Sequence, residues 1–139
     1  MSTREFILDT NVILRFLVGD HSDHLKQSTT WFGQAKNGKK QLIITPLVVA
    51  ECCFVLESFY QVRREQIAQK MCVLLGQRWL QVKERAVLTN LWDSYLEGLH
   101  FVDSYLLSWA VVHERQVLSF DEELVTRAKE CAGLQRKKS

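Results

Sequence analysis

Two short apolar runs, one near each end of the chain, lead directly into an aspartate. Residues 6–8 (FIL) precede Asp9, and residues 117–120 (VLSF) precede Asp121. Each run is rich in strand-forming residues and is followed by a helix-like pattern, which predicts buried parallel strands with an acid at their carboxyl ends. Ligands bind at that edge of an α/β sheet. Because two carboxylates at one edge repel each other, we expect a divalent cation between them.

The composition narrows the class of protein. A length of 139 residues, with 47% hydrophobic and 24% charged residues, predicts one globular domain over residues 1–139. A net charge of +2 excludes a polyelectrolyte that binds nucleic acid by overall charge. The four cysteines lack the spacing of a zinc site, and no signal peptide or membrane-spanning apolar run is evident. We therefore expect a cytoplasmic protein in a reducing compartment, without membrane contact.

Hydrophobic periodicity alternates between strands and helices along the chain. The predicted strands cover residues 6–8, 41–45, 79–82 and 116–120, and the predicted helices cover residues 10–18, 22–35, 46–59, 64–75, 86–96, 101–113 and 122–131. This alternation predicts an α/β fold with three layers, α/β/α, and a central, mainly parallel sheet. Residues from about 132 onward have little apolar content, and we expect them to form a flexible tail.

Two further acids occupy helix positions within apolar surroundings. At ~100° per residue, Glu51 shares a helix face with Leu47 and Phe54, which predicts an inward carboxylate. An inward carboxylate needs an arginine, a hydrogen-bond network or a metal as partner. Asp103 begins a helix whose expected core side continues through Leu107, so this carboxylate is also predicted to face the core.

Each acid also has a structural alternative. An aspartate at a helix start is often only a cap for free amide groups, which applies to Asp9, Asp103 and Asp121. Glu51 could lie at the margin of its apolar stripe. Four unrelated placements at one sheet edge would be unusual, so the joint pattern favours a metal site. Ligand sets made of oxygen alone select Mg²⁺ or Mn²⁺ over zinc.

In their order and spacing, these motifs resemble the PIN-domain nucleases. The resemblance rests on Asp9 with Thr10 and Asn11 after a strand, on Glu51 within an apolar helix, and on Asp103 near the start of another helix. Ser119, Phe120 and Asp121 after the last predicted strand complete the set. The size of the chain is most similar to that of the VapC-type ribonuclease toxins of bacterial toxin–antitoxin systems.

The resemblance implies a Mg²⁺-dependent endoribonuclease, with Mn²⁺ as the other cation of choice. It also implies an RNA substrate, a cognate antitoxin protein as partner, and a homodimer. The implied catalytic and metal-binding residues are Asp9, Glu51, Asp103 and Asp121. The implied supporting residues are Thr10, Asn11, Ser119 and Glu123.

Two other classes of function remain open. One is a PIN-like module that has lost catalysis and binds a protein partner. The other is a phosphotransferase of the haloacid-dehalogenase type, which also begins with an aspartate after a strand. That enzyme needs a second aspartate two residues later, where this chain has Asn11, and it has no use for Glu51.

Overall fold

The computed structural model describes residues 3–138, and the side chains of residues 3–133. The chain divides into two compact units, one that ends at Arg85 and one that begins at Ala86. The elements in chain order are β1 (Glu5–Ile7), α1 (Thr10–Val18), α2 (Ser22–Lys36), β2 (Gln41–Ile44), α3 (Pro46–Ser58), α4 (Arg64–Leu75), β3 (Gln81–Val82), α5 (Arg85–Asn90), α6 (Trp92–Leu96), α7 (Phe101–His113) and α8 (Glu122–Lys138).

The first unit contains a parallel sheet of three strands in the order β1-β2-β3. Phe6 pairs with Leu42 in the first ladder, and Ile43 pairs with Gln81 in the second. The central strand β2 places Leu42 and Ile44 in the core. The parallel sheet and its helices fit the predicted three-layer α/β/α fold.

Local sequence signals explain where the helices of the first unit begin and end. Gly19 terminates α1 in the left-handed conformation, with φ of 69°, which favours glycine because it has no Cβ. Pro46 lies in the first turn of α3, where no helical hydrogen bond is lost. Helix α1 packs on α2 and α3, α2 packs on β2, and α3 packs on α4.

Strand β1 differs from the buried strand that the sequence predicted. Only Leu8, just after the strand, is buried, while Ile7 is 68% exposed. In the described part of the chain β1 pairs only with β2, so it is an edge strand. The Lys40 ammonium group lies 4.6 Å from the centre of the Phe6 ring, where the positive charge interacts with the aromatic face.

The second unit is helical, and α7 packs against both α6 and α8. An aromatic cluster joins α6 to the start of α7, with ring centres 5.4 Å apart for Trp92 and Tyr95 and 6.1 Å apart for Trp92 and Phe101. The Ser108 hydroxyl donates to the carbonyl of Val87 at 2.7 Å and so ties α7 to α5. These contacts hold α7 against α5 and α6 within the unit.

Three predicted elements need correction. The strand predicted over residues 116–120 is wrong, because those residues have no strand pairing in the described structure and Leu118 is 98% exposed. The helix predicted over residues 86–96 is two helices, α5 and α6, separated at Leu91. Helix α8 continues to Lys138, past the predicted end at residue 131, and the flexible tail stays a prediction.

No described helix combines the length and the apolar character needed to span a membrane.

Candidate active site

Asp9 lies just beyond the carboxyl end of β1, as predicted. The Leu8 amide extends the pairing with β2 by donating to the Ile43 carbonyl at 2.9 Å. Asp9 then adopts an extended conformation as the N-cap residue of α1, but its side chain makes no capping hydrogen bond to the described residues. The capping alternative therefore does not account for this carboxylate, which is exposed and available to a ligand.

Glu51 is exposed, so the prediction of an inward carboxylate was wrong. Its face of α3 carries Leu47 and Phe54, which are 82% and 65% exposed, while Cys52 and Leu56 are buried on the core side. Because α3 is apolar on nearly all sides, its apolar stripe does not identify the buried face. Because the Glu51 carboxylate is exposed to solvent, it needs no buried partner.

A buried thiol connects the surroundings of these two acids. The Cys52 thiol donates to the Thr10 carbonyl at 3.8 Å, which ties α3 to the first residue of α1. Burial raises the pKa of Cys52 to about 12, and the charges of Glu51 and Asp9 contribute to that shift. The first unit therefore holds both carboxylates near one thiol, and that thiol stays protonated at neutral pH.

The second unit brings three of the predicted site residues together in one groove of about 250 Å³. These are Asp103 from the first turn of α7, Asp121 immediately before α8, and Glu123 from the first turn of α8. The lining residues are Glu97, Gly98, Leu99, His100, Asp103, Asp121, Glu123, Leu124 and Arg127. The packing of α7 against α8 brings these acids to one groove, and residues 116–120, from which a strand was predicted to deliver Asp121, form no strand in the described structure.

Asp103 is half-buried, at the margin of the core side of α7, and is less inward than predicted. Ser104 and Leu107 are buried, whereas Leu106 is partly exposed. The N-cap residue of α7 is His100, so Asp103 is not the cap. A carboxylate in the first turn is still favourable there, since the helix N-terminus carries partial positive charge.

For Asp121 the capping alternative is confirmed. Its Oδ1 accepts a hydrogen bond from the Leu124 amide at 3.1 Å, and its own amide donates to the Ser119 hydroxyl at 3.0 Å. These two bonds fix the backbone and the carboxylate at the start of α8. A capping carboxylate uses one oxygen for the helix, and its second oxygen can still bind a cation.

An ion-pair network in this groove was not predicted from the sequence. The Arg127 Nη1 donates to Glu97 Oε2 at 2.7 Å, and the Arg127 Nε lies 3.8 Å from Glu123 Oε1. The Glu97 carboxylate raises the pKa of Arg127 above its ordinary range. The spacing of four residues between Glu123 and Arg127 was visible in the sequence, but nothing local indicated Glu97.

The remaining supporting residues have limited roles in the described contacts. The Thr10 carbonyl accepts the hydrogen bond from the Cys52 thiol, and the Ser119 hydroxyl accepts a hydrogen bond from the Asp121 amide. Asn11 is exposed. Their support of carboxylates in catalysis stays a prediction.

The donor chemistry of these residues fits a hard divalent cation. Among the residues whose side chains are described, no group of three or more His, Cys, Asp or Glu side chains could hold a metal by itself. Mg²⁺, however, often binds to proteins through one or two carboxylates and keeps several waters. Asp9 with Glu51, and Asp103 with Asp121, supply such oxygen donors.

The structure is thus an α/β protein with an exposed acid after the first strand of its parallel sheet and a carboxylate-lined groove in its helical unit. The family model described as PIN domain matches residues 6–130. The chain therefore belongs to the PIN-domain family, whose members are generally nucleases and commonly use divalent metals. No curated protein and no solved structure shows a significant match to the chain.

Proposed function

We propose that this protein is a divalent-metal-dependent endoribonuclease and the toxin of a type II toxin–antitoxin pair. The observation that carries the proposal is the PIN-domain match over residues 6–130, together with acids at the positions that the family resemblance selects. The exposed carboxylates of Asp9 and Glu51 support it, since both are open to a cation and to RNA. Membership of this family also argues against the haloacid-dehalogenase alternative.

In this proposal Asp9 and Asp121 are the central ligands of Mg²⁺ or Mn²⁺, and Glu51 and Asp103 complete the carboxylate set. The bound cation would lower the pKa of a water and offset negative charge that builds on the phosphodiester. The protein itself orients the carboxylates that would bind the cation. The hydrogen bond from the Leu124 amide orients the Asp121 carboxylate, and the pairing of Leu8 with β2 fixes the backbone at Asp9.

The protein partners belong to the same proposal. The first unit carries an apolar groove of about 760 Å³ between α1 and α4, and an antitoxin helix or extended segment would find an apolar surface there. Its lining residues are Phe16, Leu17, Gln66, Gln69, Lys70, Val73, Leu74, Gln77 and Trp79. The exposed apolar side chains Leu47 and Phe54 of α3 support self-association into a homodimer.

A cytoplasmic location is part of the proposal as well. The four cysteines form no disulfide in the described structure, and Cys52 and Cys53 are fully buried as thiols. Buried thiols without disulfides are typical of proteins from reducing compartments.

The test of the enzyme is cleavage of single-stranded RNA by purified protein with Mg²⁺ or Mn²⁺. We expect cleavage by the wild type, loss of cleavage in EDTA, and a loss of ~100-fold or more for Asp9→Asn, which removes charge but conserves shape. The matched control is Asp23→Asn, an exposed acid in the first turn of α2, which should cleave like the wild type. A well-folded Asp9→Asn variant with full activity would refute the assignment.

One observation favours the alternative of a protein-binding module without catalysis. The described side chains include no group of three or more His, Cys, Asp or Glu residues placed to hold a metal ion. A wild-type protein that stays inactive with both cations, yet binds a protein partner in the apolar groove between α1 and α4, would support that alternative.

A further inference from the structure

A pocket of the helical unit, separate from the acidic groove, is lined by cations. It has a volume of about 210 Å³ and is formed by α8 and by the segment that follows α7. Its lining residues are Arg115, Gln116, Val117, Val125, Ala128, Lys129, Ala132 and Gly133. Among these described residues, two carry a positive charge and none is an Asp or Glu. This basic pocket therefore differs in charge from the acidic groove, which is lined by four carboxylates and one guanidinium.

The end of α7 fixes Arg115 in the basic pocket. Glu114 ends the helix in the left-handed conformation, with φ of 54°, and the Arg115 amide donates to the Ala110 carbonyl at 2.8 Å. The Arg115 Nη1 donates to the carbonyls of His113 and Glu114 at 2.9 and 3.2 Å. A guanidinium has five N–H donors, and the described contacts of this side chain use only Nη1. The donors on Nε and Nη2 are therefore available to an anion, in a side chain that is already oriented.

Helix α8 supplies the second cation and the open space beside it. Lys129 is exposed, and neither Lys129 nor Arg115 forms an ion pair with a described residue. The other α8 positions of the lining include Ala132 and Gly133, and a Cβ atom added at Gly133 would meet nothing within 4 Å. The two charges thus border a space that no large side chain of the lining fills.

The chemistry of the basic pocket fits a phosphate group. The forked donors of an arginine bind phosphate oxygens in pairs, and a lysine adds a point charge. Val125 of the lining follows Asp121 by four residues, which is about one helical turn, or ~6 Å along the axis of α8. Because a groove lined by carboxylates repels the phosphates of an RNA strand, a strand that enters it needs cations close by. The basic pocket supplies two.

We propose that the basic pocket binds a phosphate of the RNA strand through Arg115 and Lys129 and so anchors the strand next to the acidic groove. The inference rests on the proposed function, since it takes RNA as the ligand. Free phosphate has the same chemistry and is the other source of such a group. A strand is favoured over the free ion because both cations are exposed, and a strand brings further phosphates to the same surface.

The experiment measures the binding of a labelled single-stranded RNA by fluorescence anisotropy, in EDTA so that no metal-dependent cleavage occurs, at several concentrations of KCl. We expect Arg115→Gln and Lys129→Gln each to bind RNA about fivefold more weakly than the wild type at low salt. Each should also reduce the slope of log Kd against log salt by about 0.7, the value for one phosphate contact on a single strand. A merely structural role of either residue would lower the melting temperature and leave this slope unchanged.

Lys26→Gln is the matched control, because it removes the same charge from an exposed position of α2 in the first unit. It should bind RNA within about twofold of the wild type, with the same slope. Lys129 makes no side-chain hydrogen bond to a described residue, so Lys129→Gln tests the pocket even if Arg115→Gln is unstable. Unchanged slopes in folded Lys129→Gln and Arg115→Gln, or equal effects of Lys26→Gln and Lys129→Gln, would overturn the proposal. So would a wild-type protein that binds no RNA in EDTA.

Two further measurements separate the pocket from general attraction between charges, and the strand from the free ion. Ala132→Phe fills the pocket without a change of charge and should weaken RNA binding several-fold. Unchanged RNA binding by folded Ala132→Phe would contradict the pocket. Inorganic phosphate, titrated at constant ionic strength, should displace RNA only weakly. Phosphate binding that depends on Arg115, together with RNA binding that does not, would identify the free ion as the ligand and refute the anchor.

Failure of the proposed function would look different. A wild-type protein that binds RNA through Arg115 and Lys129, but cleaves none with Mg²⁺ or Mn²⁺, refutes the nuclease and supports the basic pocket. A wild-type protein that cleaves RNA, with Arg115→Gln and Lys129→Gln variants that bind and cleave equally well, refutes the basic pocket alone.

Discussion

Substitutions of Asp121 can separate two roles of one side chain, the capping of α8 and the proposed binding of the metal. Its Oδ1 caps α8 through the Leu124 amide at 3.1 Å, and its charge is proposed to bind the metal. Asparagine is as good an N-cap as aspartate and has nearly the same shape, whereas alanine has no acceptor. Asp121→Asn therefore removes only the charge, and Asp121→Ala removes both the charge and the cap.

The expected loss of stability follows from the cap. Removal of an N-cap acceptor costs about 1 kcal/mol, within a range of about 0.5 to 2 kcal/mol. For a chain of 139 residues, about 1 kcal/mol corresponds to a fall in melting temperature of about 3–4 °C. Asp121→Ala should show this fall. Asp121→Asn should stay within about 1–2 °C, since it loses only the favourable interaction of charge with the helix N-terminus.

The assay is thermal unfolding followed by circular dichroism at 222 nm in EDTA, so that metal binding does not add to stability. RNA cleavage is measured in parallel with Mg²⁺, and both variants should lose it. Equal destabilisation of the two variants would mean that the charge, not the acceptor, stabilises α8. Cleavage by Asp121→Asn at the wild-type rate would refute the role of the charge in the site.

Three other outcomes follow from particular contacts. Ser104 is buried and its hydroxyl has no hydrogen-bond partner among the described residues, so Ser104→Ala should raise the free energy of unfolding by about 1 kcal/mol in urea titrations; a loss of stability would contradict this reasoning. At pH 8 a disulfide reagent should label exposed Cys72 but not buried Cys52, whose pKa is raised to about 12, until urea is added; rapid labelling of native Cys52 would show that it is accessible. The Tyr60 hydroxyl, 2.9 Å from Asp20, holds the pKa of that carboxyl below its ordinary value, so this stabilisation is complete above about pH 4 and is lost as the pH falls through the folded pKa. Tyr60→Phe should therefore lower the melting temperature near pH 6 more than near pH 2, and a difference independent of pH would contradict this.

Periodicity and stop signals were sufficient to predict several helices to the residue. Helix α1 ends at Gly19 and α4 ends at Gly76, as glycine after an amphipathic run indicates. The bounds of α3 were also close to the prediction, but its buried face was wrong. Since α3 is apolar on nearly all sides, only packing against α1 and α4 decides that Cys52 faces the core and Glu51 faces water.

The strand predicted over residues 116–120 failed for a different reason. Local β propensity can favour an extended chain, but a strand requires a partner for its backbone groups. Leu118 and Phe120 have the right residue types and are nevertheless exposed in unpaired chain. Asp121 still lies at the start of a helix, because the capping signal is local. Its proximity to Asp103 comes from the packing of α7 on α8, which no periodicity reveals.

The edge position of β1 has a consequence for the behaviour of the protein at high concentration. A free strand edge presents unpaired amide and carbonyl groups, which a second extended chain can extend into an intermolecular sheet. Ile7 adds exposed apolar surface at that edge, whereas the Lys40 charge over the Phe6 ring adds a group that an incoming strand would have to desolvate. Loss of the Lys40 charge is therefore expected to increase aggregation at high protein concentration.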